Sequence, residues 1–186
     1  MGLAKRKQSS HKGENGSVLV IAGSRKYHGA EILAAKAASL FSDLVFVLTE
    51  KENIPFAKNS TPLIIVGEFR KKSLFEFGKK ADSILIGPGL SETKPNKSLI
   101  NFALKKFKGK KFVLDASALR LLDKKLLGQN CILTPHAGEF LAAFGKNAST
   151  EEARAQAKKW DCIIVLKGPN DIITDGIHTY KNKTGN

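Results

Sequence analysis

The sequence predicts an α/β protein: a mostly parallel central sheet with helices on both faces. Three observations carry that reading. Short apolar runs of strand length alternate with helix-period segments along the whole chain. Most of those runs are apolar throughout, the pattern of strands buried on both faces. And 186 residues supply one domain with a core but not two large ones, so residues 1–186 are expected to form a single domain.

In chain order, residues 17–22 read as a buried strand and 30–41 as an Ala-rich helix. Strands are predicted at 44–48, 63–66 and 83–86. Residues 95–107 form an amphipathic helix, with Pro95 suited to its first turn. A strand at 111–115 ends in an acid, 117–127 reads as helix, and a short strand at 131–133 is stopped by Pro135. Helices follow at 138–144 and 150–160. Ser149 or Thr150 can cap the second, and Glu151 and Glu152 suit its positive end. A buried strand at 161–166 leads to a hairpin, 171–174 and 178–181, around Asp175-Gly176.

Composition narrows the function classes. Apolar residues make up 42% and charged residues 26%, which argues against disorder, and no apolar run is long enough to span a membrane. Residues 1–11 are basic and polar and lack the apolar stretch of a secretory signal, so the chain is expected in the cytoplasm. Cys131 and Cys162 sit in apolar runs and read as buried thiols, and no cluster has zinc-ligand spacing. The net charge of +14 attracts polyanions in principle. Its lysines (Lys5 to Lys7, Lys79-Lys80, Lys124-Lys125 and others) are dispersed over predicted helix faces without alternating aromatics, which disfavours nucleic acid as a partner.

In a doubly wound sheet, ligands sit beyond the carboxyl ends of the strands. After the first strand, residues 23–30 place Gly29 and Ala30 at a helix start, where bare N–H groups favour anions; the loop reads equally as an ordinary turn. Gly87-Pro88-Gly89 follows the fourth strand as a tight turn, with or without a ligand. Asp115 ends the fifth; it can orient a hydroxyl, help hold a hydrated Mg²⁺, or cap the next helix. The densest cluster is Thr134-Pro135-His136-Ala137-Gly138-Glu139-Phe140, where His136 can donate to a phosphate or carbonyl. Lys167-Gly168-Pro169-Asn170-Asp171, after the last buried strand, suits a phosphate or adenine nucleotide. His11, His28 and His178 read as surface residues, with His28 nearest the site.

Taken in order, five segments resemble the ADP/ATP-dependent NAD(P)H-hydrate (NAD(P)HX) dehydratases: KGENGSVLVIAGSRKYHGA (12–30), ADSILIGPGL (81–90), FVLDASAL (112–119), ILTPHAGEF (132–140) and IIVLKGPNDII (163–173). The resemblance implies a three-layer ribokinase-like fold and the repair of hydrated NADH and NADPH with ADP or ATP and Mg²⁺. It assigns Ala30, Gly89, Asp115 and His136, with Ala137, Gly138, Glu139, Phe140, Leu141 and Ala142, to the substrate. It assigns Lys167, Gly168, Pro169, Asn170 and Asp171 to the nucleotide. Ser117 stands where the family's pattern has a second Asp. The resemblance also implies a later Gly-Thr-Gly-Asp motif that supplies the catalytic base, beyond Asn186. On that reading the domain is incomplete, these residues alone turn over little substrate, and a second polypeptide can supply the rest. A homo-oligomer is expected. The competing readings are a ribokinase-fold kinase of a small alcohol, a basic RNA-binding module, and a non-catalytic partner subunit.

Overall fold

The structure is a computed structural model that describes Ser9, His11 and residues 13–184. The remainder of the basic N-terminal stretch, Lys12 of the first motif, Gly185 and Asn186 lie outside the described residues.

Nine strands form one sheet: β1 (Ser17–Ile21), β2 (Leu44–Thr49), β3 (Ile64–Glu68), β4 (Ser83–Ile86), β5 (Lys111–Leu114), β6 (Cys131–Leu133), β7 (Ile163–Leu166), β8 (Asp171–Thr174) and β9 (Thr179–Asn182). The order is β3-β2-β1-β4-β5-β6-β7-β8-β9, with β1 to β7 parallel and β8 and β9 antiparallel. Among the described residues, seven α-helices accompany it: α1 (Ala30–Ser39), α2 (Ile54–Ser60), α3 (Lys71–Lys80), α4 (Lys94–Lys106), α5 (Ser117–Leu121), α6 (Ala137–Phe144) and α7 (Thr150–Trp160).

The strand order decides where the helices go. From β1 the chain steps outward to β2 and β3, returns across to β4, then steps the other way to β7. Right-handed crossovers therefore put α1 and α2 on one face and α3 to α7 on the other. Side-chain packing follows that division. Leu74, Ile100, Leu104, Leu119, Phe140 and Ala157 pack with Leu19, Phe46 and Phe112 into the large core. Ala34, Ala35 and Ala38 of α1 pack with Val20, Val45 and Val47 into a smaller one.

Local chemistry sets the boundaries. Pro55 and Pro95 sit in the first turns of α2 and α4, and the Thr93 side chain caps α4. Ser149 caps α7 through the Glu152 amide, as its position in the sequence predicts. The helix expected over 117–127 is shorter: α5 ends at Leu121, and a 3-10 turn follows at Lys124–Leu126. Asp123 accounts for the break, because its carboxylate accepts the Lys125 amide and competes with helical continuation. The strand expected at 111–115 stops at Leu114, and the Asp115 amide makes one further bond to Ile86 O. Helices α2 and α3 were not read from the sequence, and the lysine-rich Lys71–Lys80 stretch has few apolar residues to reveal its period. Cys131 and Cys162 are buried free thiols, and burial pushes Cys162 up to about 12.

Candidate functional site

β1 is flanked by β2 and β4, so the chain leaves it in opposite directions on its two sides. That switch point opens a crevice between the loop after β1 and the turn after β4. The two walls are stitched at the base, where Gly23 N–H donates to Pro88 O at 2.8 Å. Above that stitch, Ala30 and Gly89 meet: a Cβ on Gly89 would lie 2.7 Å from Ala30 Cβ and 2.9 Å from Tyr27 O. Only glycine allows that approach.

The turn after β4 is also locked to the end of β5. A Cβ on Gly87 would fall 1.8 Å from Asp115 O, and the φ of +128° excludes ordinary side chains as well. Asp115 N–H donates to Ile86 O, and Ser117 Oγ donates to Leu90 O at 2.7 Å. Ser117 therefore has a structural task at the position where the family's pattern has an acid. Between them, Ala116 holds a φ of +48°, a strained conformation for alanine. Asp115 does not cap α5, whose N-cap is Ala116 with no side-chain hydrogen bond.

Asp115 instead begins a polar chain across three strand ends. Its Oδ1 accepts from Thr134 Oγ1 at 2.8 Å and from Lys167 Nζ at 2.8 Å. Lys167 Nζ also lies 3.8 Å from Glu139 Oε2. The backbones hold this geometry, with Lys167 N–H donating to Pro135 O and His136 bridging Lys167 in parallel. Glu139 Oε2 accepts the His136 amide at 2.9 Å, and His136 Nδ1 accepts the amides of Gly138 and Glu139. His136 and Glu139 thus form a capping box on α6. An accepting Nδ1 places the ring proton on Nε2, 3.4 Å from Glu139 Oε1, on a side chain 58% exposed. The imidazole is held as a donor at the surface.

The remaining expected residues divide. Ala137, Gly138, Leu141 and Ala142 are exposed beside His136, but Phe140 is not. Its ring is fully buried and packs on Phe144 at 4.8 Å, because one position per turn of α6 must face the core. Gly168, Pro169 and Asn170 form the exposed tip between β7 and β8. Asp171 braces that tip, accepting from Gly168 N–H and, at 3.4 Å, from Asn182 Nδ2. His28 packs edge-on against Phe56, and His178 pairs with Asp175 at the far hairpin. Lys71, Lys79 and Lys106 lie over the rings of Phe75 and Phe102, so lysines cover those aromatic faces.

Sequence reading missed the polar base of the crevice. Glu50 accepts from Arg25 N–H and Ser91 Oγ, Asn96 Nδ2 donates to Ser91, and Glu31 lies fully buried under the loop after β1. The available signal was an acid inside the apolar run Ala30-Glu31-Ile32-Leu33-Ala34-Ala35.

A sequence profile of the NAD(P)H-hydrate dehydratase family matches residues 18–186. The chain belongs to that family. It is 35% identical over 197 residues to an ADP-dependent (S)-NAD(P)H-hydrate dehydratase of Cenarchaeum symbiosum, an alignment covering 97% of this chain and 69% of the relative. Its fold is similar to a ribokinase-like superfamily protein of Enterococcus faecalis, with a TM-score of 0.88 and 26% identity over 99% of this chain and 68% of that one. It is also similar to the ADP/ATP-dependent NAD(P)H-hydrate dehydratase of Bacillus subtilis co-crystallized with ATP/Mg²⁺. There the TM-score is 0.79 and the identity 26%, over 98% of this chain and 69% of that one. The fold is therefore α/β and ribokinase-like, as the motifs imply.

Proposed function

We propose that this dehydratase-family chain takes part in the ADP- or ATP-dependent return of hydrated NADH or NADPH to NAD(P)H. The observation that carries the reading is the polar chain from Asp115 through Lys167 and Glu139 to His136, set beside the Ala30 and Gly89 contact on one sheet edge. The ring hydroxyl of the hydrate leaves poorly as hydroxide. Transfer of a phosphoryl group to that oxygen makes it a good leaving group, and loss of phosphate with a ring proton restores the double bond.

In this reading Ala30 and Gly89 receive the flat ring, and His136 Nε2–H donates to a substrate oxygen. Asp115 sets the Lys167 ammonium, and Lys167 faces the phosphates with the tip Gly168, Pro169, Asn170 braced by Asp171. Among the described residues, no group of three or more His, Cys, Asp and Glu could hold a metal ion. A Mg²⁺ bound together with the nucleotide would neutralise phosphoryl charge.

The partner reading follows from burial. Leu85, Val113, Ile132 and Ile163 lie in one register row on the α1 side of the sheet and are only half-buried. We propose that further helices cover this row and complete the nucleotide site, supplied by more of the same polypeptide or by a second one; a homo-oligomer is the competing cover. No helix among the described residues is long and apolar enough to cross a membrane, and the proposed setting is the cytoplasm.

The test is incubation with hydrated NADH, Mg²⁺ and ADP or ATP, alone and with candidate covering polypeptides. Recovery of NADH absorbance supports the dehydratase. A stable phosphorylated alcohol would instead establish the kinase reading.

A further inference from the structure

Glu31 is the second residue of α1 and is 0% exposed, and both of its carboxyl oxygens are buried without a hydrogen-bond partner. It lies flat against the loop after β1. A Cβ on Gly23 would fall 2.0 Å from Oε2, 2.4 Å from Cδ and 2.9 Å from Oε1. Thr49 and Asn53, both buried, lie beside it and carry no charge. The charged group that reaches it is another acid, Glu50, at the end of β2. Glu50 is already committed to Arg25 N–H and Ser91 Oγ, so the two acids do not converge on a shared cation position.

Such a pocket holds a neutral carboxyl well and a carboxylate badly. Burial is the dominant influence and the Glu50 charge adds to it. Together they outweigh backbone, Asn53 and Thr49 contacts and raise Glu31 to about 7. The position matters because Glu31 adjoins Ala30. Gly23, against which Glu31 rests, is bonded to Pro88, and Ala30 meets Gly89. Movement of the first turn of α1 off Gly23 would therefore change the spacing of both crevice walls.

We propose that Glu31 is a positioning residue: its protonated carboxyl seats the first turn of α1 on the Gly23 backbone and so fixes Ala30 against Gly89. This rests on the reading of Ala30 and Gly89 as a substrate wall. When the proton is lost, the charge needs water, the turn lifts, and the wall loosens.

The sign for stability is fixed by the same titration. The folded value lies above the ordinary 4.5, so the folded chain holds this proton longer than the unfolded chain. The stabilisation that the neutral carboxyl contributes is fully present below 4.5 and is lost as pH rises from 4.5 through about 7, where the folded carboxyl itself ionises.

The experiment compares the wild type with the near-isosteric Glu31→Gln. NADH is the probe because its pyrophosphate does not titrate near neutrality. Its affinity is followed by fluorescence from about pH 5.5 to about pH 8.5, alongside thermal melts. The expected result is an affinity loss of about tenfold in the wild type as pH rises through 7, and a flatter profile in the variant. The wild-type Tm should also fall relative to the variant between 4.5 and 7. Matching pH profiles for both proteins, in binding or in melting, would overturn the role of Glu31. Absence of NADH binding at every pH in both proteins would instead overturn the wall reading, while the melts still decide whether the carboxyl titrates in its pocket.

Discussion

Two register rows cross this sheet side by side and differ only in which face they point to. One runs Leu48, Ile21, Ile86, Leu114, Leu133, Ile164, and every member is buried. The other runs Val47, Val20, Leu85, Val113, Ile132, Ile163; it is buried at Val47 and Val20, under α1, and half-buried from Leu85 onward. The residue types are nearly the same. What differs is the direction in which the right-handed crossovers step along the sheet, which delivers five of the described helices to the first face and two to the second. An apolar strand therefore states that it will be covered on both sides, but not by what.

The sharpest way to break this comparison uses neighbours of one residue type on β7. Ile164→Ala, in the closed face, is expected to destabilise by about 2–5 kcal/mol, whereas Ile163→Ala should lose roughly 1 kcal/mol because part of its side chain already meets water. Urea unfolding midpoints check this, and equal losses would mean the second face is covered too. Once a covering partner is found, Val165→Lys sharpens the contrast from the other side. The variant is expected to fold alone and to lose the partner by at least about 2 kcal/mol, read by titration of the complex.

Lys167→Met tests the edge rather than the faces. Lys167 and Asp115 are only partly buried and the contact to the buried Glu139 is a long 3.8 Å, so stability should change by less than about 1 kcal/mol, while affinity for ADP should drop about tenfold. A large stability loss with unchanged ADP affinity would make the Asp115 pair a structural strut. The smallest effect is expected on the closed face's last helix: Ser149→Ala should lose about 1 kcal/mol by removing the α7 cap, seen in the melting temperature.

Much of the site was legible because strand ends announce themselves. Gly87-Pro88-Gly89, Asp115, His136 and Lys167 each follow an apolar run, and the structure sets them along one edge. The burial of Phe140 was not legible, because a cluster of motif residues says nothing about which side of α6 faces inward. Glu31 was missed because a first-turn acid is ordinarily a surface feature, and only the approach of the Gly23 loop buries it. The lysine-rich α3 was not legible because its apolar positions are sparse, and the periodicity over 117–127 does not show the break that the Asp123 carboxylate imposes.

By itself the sequence determined the class of fold, the order of the strands and of most helices, the cap of α7, and the family, because periodicity, turn residues and contiguous motifs are local properties of the chain. Only the tertiary structure decided that β1 sits beside β4, that Lys167 spans 52 positions to pair with Asp115, and that one half of one face stays open. Those outcomes depend on crossover direction and on contacts between distant segments, which no local pattern of residue types encodes.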